Sequence, residues 1–359
     1  MMHKQTAFML NSEPGYARDE LISIPLNMHV GAGIYNESFE LFAQELKNYP
    51  GIVDVSMSFS SPSSVSTGAD NVSWEGKPDG LDLLVHWESV SYDYFETLGV
   101  PIKKGRGFSR DFLGDEVNWD TRRSAYILNE KAVSEMGMDD PLGKEFNIWD
   151  FKGPIVGVAE DYNFKSLHSE IEPIVYMMNP FFLNEILIRT DPSASATEQH
   201  IIAVWNKFIP EYPLEINYVT DQIQDLYRND LNLAIVFNMF SLLAILIACL
   251  GLFTLTVLTV SQRIKEIGIR KIHGAKVSEI LAMLNMDYLK WVGLAYLISI
   301  PIAWYTIYRW LENFAYKADI GWWPFVLTGI SVFLIAMVTV SWQSWKAATR
   351  NPAEVLKYE

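Results

Sequence analysis

The residues with the strongest claim to chemistry are charged and close together. The stretch Ser261-Gln-Arg-Ile-Lys-Glu-Ile-Gly-Ile-Arg-Lys-Ile-His-Gly-Ala-Lys276 lies between two long apolar segments and carries five of the chain's 28 Lys and Arg residues. Read as a helix, Arg263, Glu266 and Arg270 fall on one face at i, i+3 and i+7, and Ile264, Ile267 and Ile272 on another. Gly274 follows the last periodic residue, where a left-handed cap is expected. Two uses fit such a helix on its residues alone. It can dock a partner through its charged face, or its cations can anchor the chain against anionic lipid.

The spacings of ordinary catalysis do not occur. His3, His29, His86, His168, His200 and His273 show no metal-ligand spacing such as H-x-x-x-H. Glu160 and Asp161 are adjacent. On a strand they would point to opposite faces, a poor acid/base pair, and they are expected to end a strand and open a turn. There is no G-x-S-x-G and no G-x-x-x-x-G-K-[ST]; Gly137 followed by Gly143-Lys144-Glu145 has the wrong spacing and no hydroxyl after the Lys. The chain therefore has no P-loop with which to cradle nucleotide phosphates. A membrane-anchored extracytoplasmic enzyme is one competing reading, and hydrolysis dependent on Asp161 would be its sign.

The elements that must position the 261–276 stretch are apolar runs. Residues 231–260 contain no charge, and 30 residues exceed the roughly 20 needed to cross a bilayer. Ser241, Ala244, Ala248 and Gly251 form a small-residue stripe suited to close helix packing. Further spans are predicted at about 288–309, with Pro301 as a kink, and at 322–343, with Pro324 in the first turn. Trp291, Trp310, Trp322, Trp323, Trp342 and Trp345 sit near span ends, as interfacial aromatics do. Cys249, the single cysteine, is expected to pack inside the first span. The loop 261–284 and the tail 343–359, with Lys346, Arg350 and Lys357, carry the cationic excess. The positive-inside rule puts both in the cytoplasm, and residues 1–230 with the loop near 311–321 outside. Lys290 is placed at the inner end of the second span, where it can snorkel.

Residues 1–230 hold 17 Lys and Arg against 36 Asp and Glu, a balance of −19, whereas the remainder is at +4. Such an acidic part excludes nucleic acid as a partner, because phosphate binding needs a basic face. Solubility alone also accounts for the excess. Strands are expected at 21–26, 52–59, 81–89, 124–129, 153–159, 174–178, 185–189 and 215–219. Helices are expected at 36–48 with Asn36 as its cap, 92–98, 130–136 and 196–208. Residues 60–80 read as a loop and 1–26 as mixed. This irregular alternation predicts an α+β domain over 1–228, followed by an all-α membrane domain of three spans over 229–359. The N-terminus has no apolar stretch long enough for a signal peptide.

Several of these segments resemble the MacB/FtsX-like family of ABC transporter permeases. The match is carried by Lys265-Glu-Ile-Gly-Ile-Arg-Lys-Ile-His-Gly-Ala275 and by the tail Ala347-Ala-Thr-Arg-Asn-Pro-Ala-Glu-Val-Leu356. In the soluble part it is carried by Tyr92-Asp-Tyr-Phe-Glu-Thr-Leu-Gly-Val-Pro101, Gly105-Arg-Gly-Phe-Ser109, Asn129-Glu-Lys-Ala132, Asp140-Pro-Leu-Gly-Lys144 and Val156-Gly-Val-Ala-Glu-Asp-Tyr-Asn-Phe164. The resemblance implies a MacB-like extracytoplasmic (periplasmic) core domain and an FtsX-like permease domain in the inner membrane. It also implies a membrane helix ahead of the core domain, so the chain reads as the second half of a long, duplicated member without its first helix.

The implied mechanism is mechanical transmission. A separate ABC-type ATPase subunit binds ATP, and this chain needs no cofactor of its own. Closure of two ATPase subunits moves the spans and with them the outer domain, exporting or extracting a substrate. Arg263, Lys265, Glu266, Arg270 and Lys271 are the expected polar contacts with the ATPase, and Gly268 the point of close approach. Gly274 and Ala275 set the turn into the second span, and Asn351 and Pro352 mark the cytoplasmic tail. Pairing with a second permease half, as a dimer, and contact with membrane lipid are also implied. A non-transporting scaffold, signalling through the same kind of ATPase, would share all these features.

Overall fold

Period-two runs of branched and aromatic side chains set two sheets in the N-terminal part. The computed structural model describes residues 2–194, 196–317, 319 and 321–348. Its strands are Leu21–Pro25 (β1), Ile52–Ser58 (β2), Val72–Trp74 (β3), His86–Ser89 (β4), Ile102–Gly105 (β5), Tyr126–Asn129 (β6), Glu145–Ile148 (β7), Phe151–Ala159 (β8), Ile174–Met177 (β9), Glu185–Thr190 (β10) and Asn217–Tyr218 (β11). Its helices are Met2–Asn11 (α1), Met28–Glu37 (α2), Phe39–Lys47 (α3), Tyr94–Leu98 (α4), Glu130–Glu135 (α5), Thr197–Phe208 (α6), Val219–Leu226 (α7), Arg228–Gln262 (α8), Ile264–Ile272 (α9), Val277–Leu311 (α10) and Trp323–Ala348 (α11). Two compact units result: Thr6–Asn229, and Met1–Gln5 with Asp230–Glu359. The second unit takes in N-terminal residues because the Lys4 ammonium and the Gln5 amide donate to the carbonyls of Asp319 and Tyr316, at 2.6 and 2.7 Å.

In the α+β unit, four antiparallel strands run in the order β11-β1-β10-β2. Alternation sends Ile22, Ile24, Val55, Met57, Ile186 and Ile188 to one face, where Phe42 and Leu46 of α3 and Ile201 and Trp205 of α6 cover them. A second, mixed sheet runs β3-β7-β8-β6-β9-β4, with β5 paired to β8. Its own core gathers Trp87, Tyr126, Leu128, Phe146, Ile155, Val175 and Met177 with Ala132 of α5.

Between these two cores, polar side chains are buried among apolar ones such as Leu187 and Phe95. Ser23, Ser56, Ser58 and Glu185 occupy the alternate, non-core positions of the first sheet, and all are buried. Glu88, fully buried on β4, is in register with Tyr176 of β9. Helix α4 bridges the sheets: Phe95 packs edge-on against Tyr176 at 4.9 Å, while the Thr97 hydroxyl donates to Asp54 of β2 at 3.0 Å. The Ser23 hydroxyl donates to Glu185, the Gln222 amide of α7 donates to Ser23 at 3.2 Å, and the Ser61 hydroxyl donates to Gln222.

Several sequence expectations are corrected here. The helix expected from Asn36 begins at Phe39, and Asn36 instead lies inside α2, which the sequence reading missed. Two glycines blur the apolar period of α2. Gly31 is required there, because a Cβ would stand 1.8 Å from the Leu183 carbonyl oxygen. The cap is Asn27, whose side chain accepts from the Val30 amide at 2.9 Å. The 60–80 loop contains β3, and the strand expected over 81–89 forms only at its end, as β4. The strand expected over 215–219 shrinks to β11, because Val219 opens α7. Strands β5 and β7 and helices α1 and α7 were not anticipated.

The three predicted spans are helices α8, α10 and α11, each long and apolar enough to cross a membrane. α10 begins eleven residues before the expected start and continues through Pro301. It packs against α11, where Gly329 leaves room for the ring of Tyr296, whose hydroxyl donates to the Phe325 carbonyl. The Asn285 amide donates to the Ser341 hydroxyl at 2.8 Å. An apolar groove of about 420 Å³ runs between the three helices and is lined by Ala248 and half-buried Cys249. The rest of the small-residue stripe is exposed, and a Cβ on Gly251 would meet nothing within 4 Å.

Burial pushes the Glu88 carboxyl from 4.5 up to about 8, against the opposing pull of Ser60 and of the Phe59 backbone, with a further upward contribution from Glu185. Burial likewise pushes Glu185 up to about 7, opposed by Ser23. Both groups keep their protons in the folded chain at pH values where the unfolded chain has lost them. Stability is therefore greatest below pH 4.5 for these two groups and falls as pH rises toward 8, by at most about 1.4 kcal/mol per pH unit for each. Denaturant unfolding of the α+β unit, followed on the full chain in detergent at pH 5 to 8, should show this decline. Glu88→Gln should reduce the slope by about half, leaving the Glu185 share; an unchanged slope would refute the assignment.

Candidate coupling site

Helix α8 ends at Gln262, and Arg263 caps the nine-residue α9. So short a helix is unstable alone and depends on packing. Ile267 supplies it, buried with Val260 of α8 and with Ile280 and Leu284 of α10. Gly274, at φ +87°, turns the chain after α9, and its amide donates to the Lys271 carbonyl at 3.1 Å. The Ala275 amide reaches back to Arg270 O at 3.0 Å. The Lys276 amide then donates to the Glu279 carboxylate at 3.2 Å, opening α10.

The expected site residues do not share one surface. Glu266 and Arg270 pair with each other at 2.7 Å across one turn. Arg263 turns instead toward α10 and pairs with Asp287 at 3.0 Å. Lys265 is exposed on α9 and Lys271 half-buried. Gly268 is buried. Of the three isoleucines expected on one apolar face, only Ile267 is buried, and Ile272 is 63% exposed. Five residues at 100° each carry Ile272 well away from Ile267 around the helix. Asn351 and Pro352 lie outside the described residues.

Further side chains surround these residues. Ile269 and Ile272 present apolar surface beside the charges. His273 and Glu279 line a groove of about 330 Å³ with Arg270, Gly274, Ala275, Ile280 and Met283. An exposed aliphatic pair three residues apart on a charged helix was the available signal.

The other candidates for chemistry are engaged in the fold. Glu160 pairs with Lys103 at 2.9 Å, and Asp161 accepts the Lys131 amide of α5 at 3.0 Å. His86, held between the Thr67 carbonyl and the Glu172 carboxylate, fixes the start of β4. Among the described residues no cluster of three His, Cys, Asp or Glu gathers for a metal.

An α+β domain precedes three helices long and apolar enough to cross a membrane, with a basic turn between the first two. Residues 238–352 match the model of the FtsX-like permease C-terminal domain. The chain is 25% identical over 239 residues to the macrolide export ATP-binding/permease protein MacB of Vibrio parahaemolyticus, covering 61% of this chain and 35% of that one. To MacB of Escherichia coli K12 it is 22% identical over 305 residues, covering 78% and 44%. It thus spans less than half the length of these relatives. The matched domain and these relatives support the MacB/FtsX-like permease family for this chain. Among solved structures, the periplasmic region of MacB from Actinobacillus actinomycetemcomitans covers 62% of this chain and 98% of its own length, at 15% identity and a TM-score of 0.38.

The Arg263–Asp287 pair is nearly half exposed and contributes at most about 1 kcal/mol. Emptying the Ile267 site costs about 2 kcal/mol or more. Trypsin cleavage after Arg270 and Lys271 should therefore accelerate strongly in Ile267→Ala and little in Asp287→Asn. The reverse order would show that charge, not packing, holds α9.

Proposed function

We propose that this chain is the membrane component of an ABC-type transporter in the inner membrane, driven by a separate ATPase subunit that docks on α9 and on the turn after it. The supporting observation is the groove at that turn, which brings Arg270, Gly274 and Ala275 together with Glu279 beside exposed Ile269 and Ile272. Apolar anchors rimmed by charge are what a protein partner needs. The positive-inside rule places this turn in the cytoplasm and the α+β unit outside.

The helices give the docking face its mechanical reach. The Ile267 cluster ties α9 to both α8 and α10, so a push on α9 moves both. α10 is one continuous helix of 35 residues, about 50 Å long. α8 follows α7 after the single residue Tyr227, whose hydroxyl accepts the Leu167 amide at 2.8 Å. Nucleotide-driven closure of two ATPases would thus be felt by the α+β unit, with export or extraction of a substrate as the outcome. A dimer or a homologous second permease half completes the assembly in this reading.

Because Glu266 and Arg270 pair with each other, Glu266→Arg with Arg270→Glu preserves an ion pair on the helix while inverting the face shown to a partner. Capture of the full chain in mild detergent should recover an ABC-type ATPase from wild type and lose at least about tenfold of it, equivalent to 1.4 kcal/mol, in the double variant. Undiminished recovery with normal membrane insertion would overturn docking at this face.

A further inference from the structure

A second cleft, of about 650 Å³, opens between α8 and α10 and is lined by Thr259, Arg263, Leu284, Asp287, Tyr288, Lys290, Trp291 and Leu294. On α10, Asp287, Lys290, Trp291 and Leu294 stand at i, i+3, i+4 and i+7, a single stripe. The stripe passes from charged to apolar within two turns. From α8 into its junction with α9 the same change occurs over one turn, from Thr259 at the end of the apolar run to Arg263. The two helices therefore switch from apolar to charged at the same cleft.

Its charges are unbalanced. Arg263 lies 3.0 Å from Asp287, and Lys290 lies 4.0 Å from the same carboxylate. Two cations share one anion, leaving one positive charge, and the Lys290 side chain is 72% exposed. The Tyr288 hydroxyl donates to the Leu255 carbonyl at 3.3 Å, and Glu266 is occupied by Arg270. Trp291, 71% exposed, and Leu294 form the apolar continuation.

From this juxtaposition we infer that the cleft binds an anionic glycerophospholipid, its phosphate held between Arg263 and Lys290 and its acyl chains along Trp291 and Leu294. One phosphodiester charge neutralises the cleft, and the polar-to-apolar order matches a lipid lying in its own leaflet. The inference rests on the reading that α8 and α10 cross the membrane with this end at the cytoplasmic interface. Lipid held here lies beside the α9 docking face, so the composition of the inner leaflet would bear on coupling.

The test is native mass spectrometry of the full chain in detergent, with phosphatidylglycerol or phosphatidylcholine added. Wild type should retain phosphatidylglycerol in preference. Lys290→Gln should weaken that retention about fivefold, as should Arg263→Gln, whereas Lys317→Gln, at an exposed cation elsewhere, should not. Equal retention of both lipids, or a Lys290→Gln variant that binds like wild type, would overturn the site. So would thermal stabilisation by inorganic phosphate as large as that by phosphatidylglycerol, or a change of oligomeric state in Lys290→Gln without any lipid preference. Labelling of Ser278→Cys in a Cys249→Ala background reports sidedness separately. If that thiol reacts from outside the cell, the membrane topology fails; if it is protected and lipid preference is absent, the lipid site alone fails.

Discussion

Four aliphatic side chains, Val260, Ile267, Ile280 and Leu284, hold together everything proposed for the membrane part. A nine-residue helix has too few internal hydrogen bonds to repay its own nucleation. Its position is decided by the burial of Ile267 between the two long helices. That burial orients the rest of the helix: Glu266, Ile269 and Arg270 face outward, Arg263 swings to α10, and Gly274 reverses the chain into the next helix. Packing makes the basic turn a rigid extension of α8 and α10, which a loop tethered only by surface ion pairs would not be.

The α+β unit adds buried polar contacts to its apolar packing. Each sheet keeps its hydrophobic core on one face, and the seam between them carries hydroxyls, tyrosines and two carboxyls. Burying a carboxylate is costly, and burial accordingly holds the protons of both groups to higher pH than in the unfolded chain. The hydrogen bonds of these groups depend on proton occupancy in a way that the two apolar cores do not. Helix α4 belongs to both sides of the seam, and its left-handed exit at Gly99, φ +72°, directs the chain on to β5.

Ion pairs play a supporting part throughout. Glu160 with Lys103, and Asp161 with the first turn of α5, show why adjacent carboxylates in this sequence carry no shared chemistry: each is aimed at a different neighbour. At the membrane end the same logic gives a different result. Asp287 meets Arg263 and Lys290 together, and the charge left over is what makes the cleft selective for an anion.

Much of this was legible in the residues. Charge-free runs long enough to span a bilayer, the cap at Gly274, the buried strands of the second sheet and the basic turn all follow from spacing, because helical and strand periods are local properties. The blurred elements, α2 with its two glycines and the three-residue β3, lacked a local signal strong enough to read. What spacing could not decide is which distant group each side chain meets. Arg263 shares a helical face with Glu266 on paper, yet it sits at the cap, where Asp287, 24 residues away, is nearer. Ile272, expected on one face with Ile267, is exposed for the same reason. Glu88 reads as an ordinary strand residue until the fold surrounds it with a second sheet. Spacing along the chain was enough for the long apolar helices and the strongly alternating strands, whereas the partners of each side chain came from packing, because contact between residues far apart in the chain exists only once it has folded.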